Sequence, residues 1–152
     1  MKAEVANFGN VHAMVKFCQL QHDKSSWKAL PFNPVHVKKN LMKMVREPGL
    51  DALISVDDDG QIKGVLLASI DQFFMNKMYY ATDVHFMCEA GGIQLFAEFK
   101  RWAVRNGAKK IIMGIGNDDP DGKVHRFYEM VGMWPVGDAW VYDLDDIQEK
   151  AA

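Results

Sequence analysis

Two cysteines, Cys18 and Cys88, are all this chain of 152 residues contains. They are seventy positions apart, with no Cys-x-x-Cys pattern, so neither a disulfide framework nor a cysteine-rich zinc site is available. Reduced thiols in a cytoplasmic protein are the expectation. The five histidines, His12, His22, His36, His85 and His125, show no metal-ligand spacing. Ser55-x-Asp57-x-Asp59-Gly60 echoes a calcium loop, but Leu66 stands where the bidentate glutamate belongs. No metal is expected. No apolar run approaches membrane-spanning length, and the first residues lack the apolar core of a secretion signal. The net charge of −2 and pI near 6.2 exert no global pull toward nucleic acid or an anionic membrane. The sequence expectation is therefore no nucleic-acid and no membrane partner.

What is present is ordinary for a globular domain, 49% apolar and 25% charged. With no repeat, linker or low-complexity tract, one domain is expected over residues 1–146, followed by a short tail, 147–152. Residues Lys2–Phe8 suit a short edge strand. Val11, Met14, Val15 and Cys18 follow the helical spacing, with Asn10 as the expected cap. Asn33-Pro34 opens a second helix with the stripe Val37, Leu41, Met44 and Val45, and Pro48-Gly49 stops it. Leu50–Val56 and Ile62–Ile70 form a hairpin around Asp57–Gly60. Met78–Met87 is a further strand. A helix runs from Gly92 to Asn106, and a strand follows over Lys110–Ile115. The remaining elements are a helix over Gly122–Val131 and a strand over Ala139–Leu144. The order β-α-α-β-β-β-α-β-α-β predicts an α/β domain with a mixed, mainly antiparallel sheet flanked by helices and one βαβ crossover.

Two features of this crossover carry chemistry. Ala90-Gly91-Gly92-Ile93 lies between a strand and a helix. There the backbone can approach a ligand closely, and the helix start offers N–H donors to an anion. A tight turn needing positive φ is the competing reading. Tyr128, on the last helix, is a phenol that can act as an acid toward a developing thiolate, or simply complete the core beside Val124, Phe127 and Val131.

Element order, the Gly-Gly helix start, and the phrase Phe127-Tyr128-Glu129-Met130-Val131-Gly132-Met133 followed by Pro135-Val136-Gly137 together resemble the GNAT acetyltransferase superfamily. The resemblance covers nearly the whole chain. It implies N-acetyl transfer from acetyl-CoA to a primary amine, on a small molecule or a protein, in a ternary complex. Backbone groups of the fourth strand, at Val84, His85, Phe86 and Met87, would meet the pantetheine arm. Ala90, Gly91, Gly92, Ile93, Gln94 and Leu95 would hold the pyrophosphate, and Asn117 would lie near the pantetheine. The fourth and fifth strands would part to admit the cofactor, and Tyr128 would be the general acid. Asp83 and His85 are the candidate bases, and strand alternation places both on one face. The basic or amide residue that usually begins the cofactor loop is missing, Ala90 or Met87 standing in its place, and Glu89 adds a negative charge. The same fold serving as a non-catalytic binding or assembly module is the alternative. A homodimer is compatible with the resemblance, and Phe73, Phe74 and Met75 are candidates for an acceptor pocket or a subunit contact.

Overall fold

The computed structural model describes residues 1–115, 119–137 and 139–144. Asn117 and the expected tail lie outside the described residues. Strand β1 spans Lys2–Val5, and a 3-10 turn over Phe8–Asn10 leads directly into helix α1, Val11–Lys24. Asn10 does not cap α1. Its side chain accepts from Asn7 N–H while Asn7 accepts from Gly9 N–H, so the reciprocal pair holds the turn instead. Helix α2, Pro34–Arg46, is capped as its sequence dictates, Asn33 accepting from His36 N–H at 3.0 Å with Pro34 in the first turn.

The remaining elements are β2 Leu50–Val56, β3 Ile62–Gln72, β4 Tyr79–Cys88, α3 Gly92–Arg105, β5 Lys110–Met113, α4 Lys123–Met130, β6 Trp134–Val136 and β7 Ala139–Asp143. Strand β6 has no counterpart in the sequence pattern. It is three residues long, holds Pro135 and is exposed throughout, so it shows none of the alternation that marks a strand. Among the described residues the strands form one sheet in the order β1-β2-β3-β4-β5-β7-β6, antiparallel except where β4 meets β5. This is a single α/β domain with one crossover, through α3.

Helices lie on both faces. Leu66 and Ala68 of β3 and Ala81 of β4 pack with α3 and α4 side chains, among them Phe96, Phe99, Trp102 and Tyr128. Val65 and Leu67 turn the other way, against Val11, Met14, Phe17, Leu41 and Met44 of α1 and α2. Because β3 is covered on both sides, it reads as a continuous apolar run, Val65 to Ala68.

The pairing of β3 with β4 is interrupted. Ala68 faces Asp83 and Leu67 faces His85, so Val84 is an extra residue with no partner on β3. Strands β4 and β5 pair only over Tyr80–Thr82 and Lys110–Ile112. Beyond Thr82, β4 runs on to Cys88 without β5 beside it. The bulge and the parting of the strands occur at neighbouring residues, and they position the candidate site.

Candidate active site

The bulge decides which way each β4 side chain points. Cross-strand partners share a face. Asp83 therefore shares the Ala68 face with α3 and α4, whereas His85 shares the Leu67 face with α1 and α2. The expected common face is corrected: unbroken alternation would have aligned the two, and the extra residue at Val84 reverses one of them. Phe86 returns to the Asp83 face and packs on Phe127 at 5.9 Å, while Met87 joins the α1–α2 side.

Asp83 is half-buried where the two strands part. Burial lifts its carboxyl to about 6, although its own N–H and that of Gly114 favour the ionised form. Gly114 follows β5 directly. Its carbonyl accepts the Tyr128 hydroxyl at 2.7 Å. Asp83 and the Tyr128 phenol thus meet at Gly114, where β4 and β5 part. Tyr128 is 1% exposed. Burial first, then the Asp83 and Asp119 carboxylates, push its phenol above the ordinary range. It is held protonated, as a donor.

Asp119, just before α4, organises the start of that helix. It accepts from the N–H groups of Val124 and His125, each at 3.2 Å, and from His125 Nδ1 at 2.7 Å. The His125 bond is the largest influence holding the carboxylate down to about 2. His125 and Tyr128 both lie against the Trp140 ring, at 5.6 and 5.4 Å. In sequence Asp119 reads as a solvated turn residue. The signal for its role is an aspartate a few residues ahead of a helix start.

At the other end of the gap, Gly91 precedes α3 at φ +81°. A side chain there would strain the backbone, and its Cβ would lie 2.8 Å from Ser55 Cβ. Ser55 holds the turn by donating to the Ala90 carbonyl at 2.8 Å. The N–H groups of Glu89 and Ala90 both go to the Lys63 carbonyl, so Ala90 offers no donor to a ligand. Leu95 is also corrected as a candidate: its side chain is fully buried and its N–H is bonded to the Gly91 carbonyl. The donors that remain are the first-turn N–H groups of Gly92, Ile93 and Gln94, which lack intrahelical acceptors. Such a set, at a helix N-terminus, suits a diphosphate.

Glu89 is not a bare charge in that loop. Gln21 and Lys24 at the end of α1 donate to it at 2.7 and 2.9 Å, and these bonds lower its carboxyl from the usual range. The contact ties the turn before α3 to a helix on the opposite face. Cys88 is exposed at the end of β4, and its thiol donates to the Ala90 carbonyl at 3.2 Å. Among the described residues no cluster of ligating side chains could hold a metal ion.

No protein-family model matches the sequence, and no curated protein matches it. Solved structures do resemble it. A probable acetyltransferase superposes with a TM-score of 0.73 at 13% identity, covering 90% of this chain and 91% of that one. A GNAT-family acetyltransferase from Streptococcus pneumoniae gives 0.70 at 12% identity, covering 91% and 95%. An aminoglycoside acetyltransferase from an uncultured soil metagenomic sample gives 0.65 at 15% identity, covering 90% and 94%. The chain has the GNAT acetyltransferase fold.

Proposed function

We propose that this protein is an N-acetyltransferase that carries the acetyl group of acetyl-CoA to a primary amine. The observation that carries the reading is the meeting of Asp83 and Tyr128 at Gly114, where β4 and β5 part. It sets a carboxylate poised near neutral pH beside a phenol that keeps its proton, two environments that push an acid and a base apart.

Each residue has a task that follows from its surroundings. Gly92, Ile93 and Gln94 N–H groups would hold the pyrophosphate, with the exposed backbone of β4 beyond Thr82 open to the pantetheine arm. Acetyl-CoA supplies an activated thioester. Asp83, ionised above about pH 6, accepts the ammonium proton of the acceptor at a carboxylate oxygen. The Tyr128 hydroxyl donates its hydrogen bond to the departing sulfur once it releases the Gly114 carbonyl. Positioning two reactants in the gap supplies much of the rate. His85 points to the other face of the sheet, so Asp83 and not His85 is the base in this reading.

A second reading has its own observation. Phe127 lies 3.4 Å from the position a Gly92 Cβ would take and packs on Phe86, so aromatic side chains crowd the entrance between α3 and β4. A module that kept the fold for binding or assembly would be closed in this way. The test is thermal unfolding with acetyl-CoA, with CoA and with ATP as anion control, followed by thiol release in the presence of a panel of amines. Ligand at about 100 times Kd stabilises by ~2.7 kcal/mol, a rise of several degrees. A shift with the CoA species alone, and amine-dependent thiol release, is the expected result. No shift at millimolar acetyl-CoA would select the module.

A further inference from the structure

We infer that the outer surface of α1, α2 and their connection docks on an anionic lipid bilayer. The whole-chain charge of −2 conceals a separation. Residues 11–46 carry seven Lys or Arg and one acid, Asp23, leaving +6; the rest carries eleven against nineteen, leaving −8. Structure gathers the positive segment into one layer on one face of the sheet. Lys38, Lys39, Lys43 and Arg46 line a single groove along α2 with Val35 and Met42, on the side away from the core residues Leu41 and Met44.

Carboxylates answer few of these cations. Lys24 meets Glu89, and Lys43 and Arg46 stand 3.8 and 3.7 Å from Glu47. Among the described residues, Lys16, Lys28, Lys38 and Lys39 have no acid within ion-pair distance. Large apolar side chains are interleaved with them. Trp27, Leu30 and Val35 are 51%, 57% and 77% exposed, and Leu20 and Met42 are exposed as well.

This combination selects the occupant. A bilayer surface offers anionic headgroups to the lysines and an acyl boundary to Trp27, Leu30 and Val35. A nucleic acid would use the cations but leaves the aliphatic side chains without a partner, and the layer has one arginine and one tryptophan to read or stack on bases. A second copy docked face to face would set two positive layers against each other. The surface acts independently of the acetyl-transfer reading.

The experiment is co-sedimentation of the full chain with phosphatidylcholine vesicles and with vesicles containing about one-third phosphatidylserine. Binding to the second and not the first is expected, weakening with salt. Replacing Lys38, Lys39 and Lys43 together by glutamine should reduce binding roughly a hundredfold, about fivefold per charge. The pair Leu30→Ser and Val35→Ser should also weaken it while leaving every charge in place. All five positions are on the surface, and circular dichroism confirms that the variants fold. Vesicle binding unchanged by the glutamine triple overturns the inference. So does an apolar pair that binds like the parent, or binding to duplex oligonucleotide with none to anionic vesicles.

Discussion

Replacing Asp83 with asparagine keeps the side chain's shape and removes the charge. An aspartate in the unfolded chain titrates near 3.8, whereas burial raises it to about 6 in the folded protein. The folded state therefore holds a proton that the unfolded state has already released. Below about pH 4 both states are protonated and the site costs nothing. As pH rises through the window between the two values, the unfolded state loses its proton first and stability falls. Above about pH 6 the full cost is in place. A carboxyl midpoint raised by about two pH units corresponds to about 3 kcal/mol. The Asp83→Asn protein escapes that cost, so its advantage should be about 1 kcal/mol near pH 4.5 and about 3 kcal/mol near pH 7.5. For a chain of this size the larger figure raises Tm by roughly 6–10 °C. Urea titrations of both proteins at the two pH values measure it directly. The same substitution should lower kcat by about 10²-fold or more and abolish the limb near pH 6 in kcat/KM. A stability difference independent of pH would refute the burial argument. Unchanged activity would remove Asp83 from the base role.

Three further substitutions probe the neighbouring groups. Tyr128→Phe should lower kcat with little effect on acetyl-CoA affinity, and cost about 1–2 kcal/mol because the Gly114 carbonyl loses its buried donor; kinetics and thermal melts separate the two effects. Gly91→Ala should destabilise by about 1–3 kcal/mol, since it both strains a positive φ and meets Ser55 at 2.8 Å. Combining it with Ser55→Gly should recover the steric part but not the backbone part, as read by chemical denaturation. Glu89→Gln removes an anion from the approach to α3 and frees Lys24, so acetyl-CoA should bind roughly two- to fivefold more tightly at low salt, with the gain fading as salt is added. Calorimetric titration at two ionic strengths decides it.

Residues that carry local instructions are legible in the sequence. Asn33-Pro34 writes a helix start, and the bond to His36 is the one it specifies. Asp57–Gly60 writes a turn, and the β2–β3 hairpin closes there. Helix α3 keeps its apolar stripe because tertiary contacts agree with its periodicity. The features that do not show are relational. Nothing in Thr82-Asp83-Val84-His85-Phe86 marks Val84 as extra: the segment has no glycine or proline, and the bulge exists only in its register against β3. Gly114 resembles a strand end, yet its carbonyl holds the Tyr128 phenol close to the Asp83 carboxyl of a separate element. Strand β6 draws its existence from hydrogen bonds to β7, not from its own three residues. The charge of residues 11–46 disappears in a sum taken over the whole chain.

The extra residue at Val84 also shapes how this strand can change over time. Deleting Val84 would bring Asp83 and His85 next to each other, and simple alternation would then keep both, with Ala81, Phe86 and Met87, on their present faces in an unbroken ladder. Flattening the bulge with Val84 retained would instead exchange the faces on one side of it: either Ala81 and Asp83 would leave the α3–α4 side, or Phe86 would turn away from Phe127. What the fold fixes at this point is thus the pattern of faces and not the length. Descendants of the chain can shorten β4 by its bulged residue, or substitute along it, while inside and outside stay as they are.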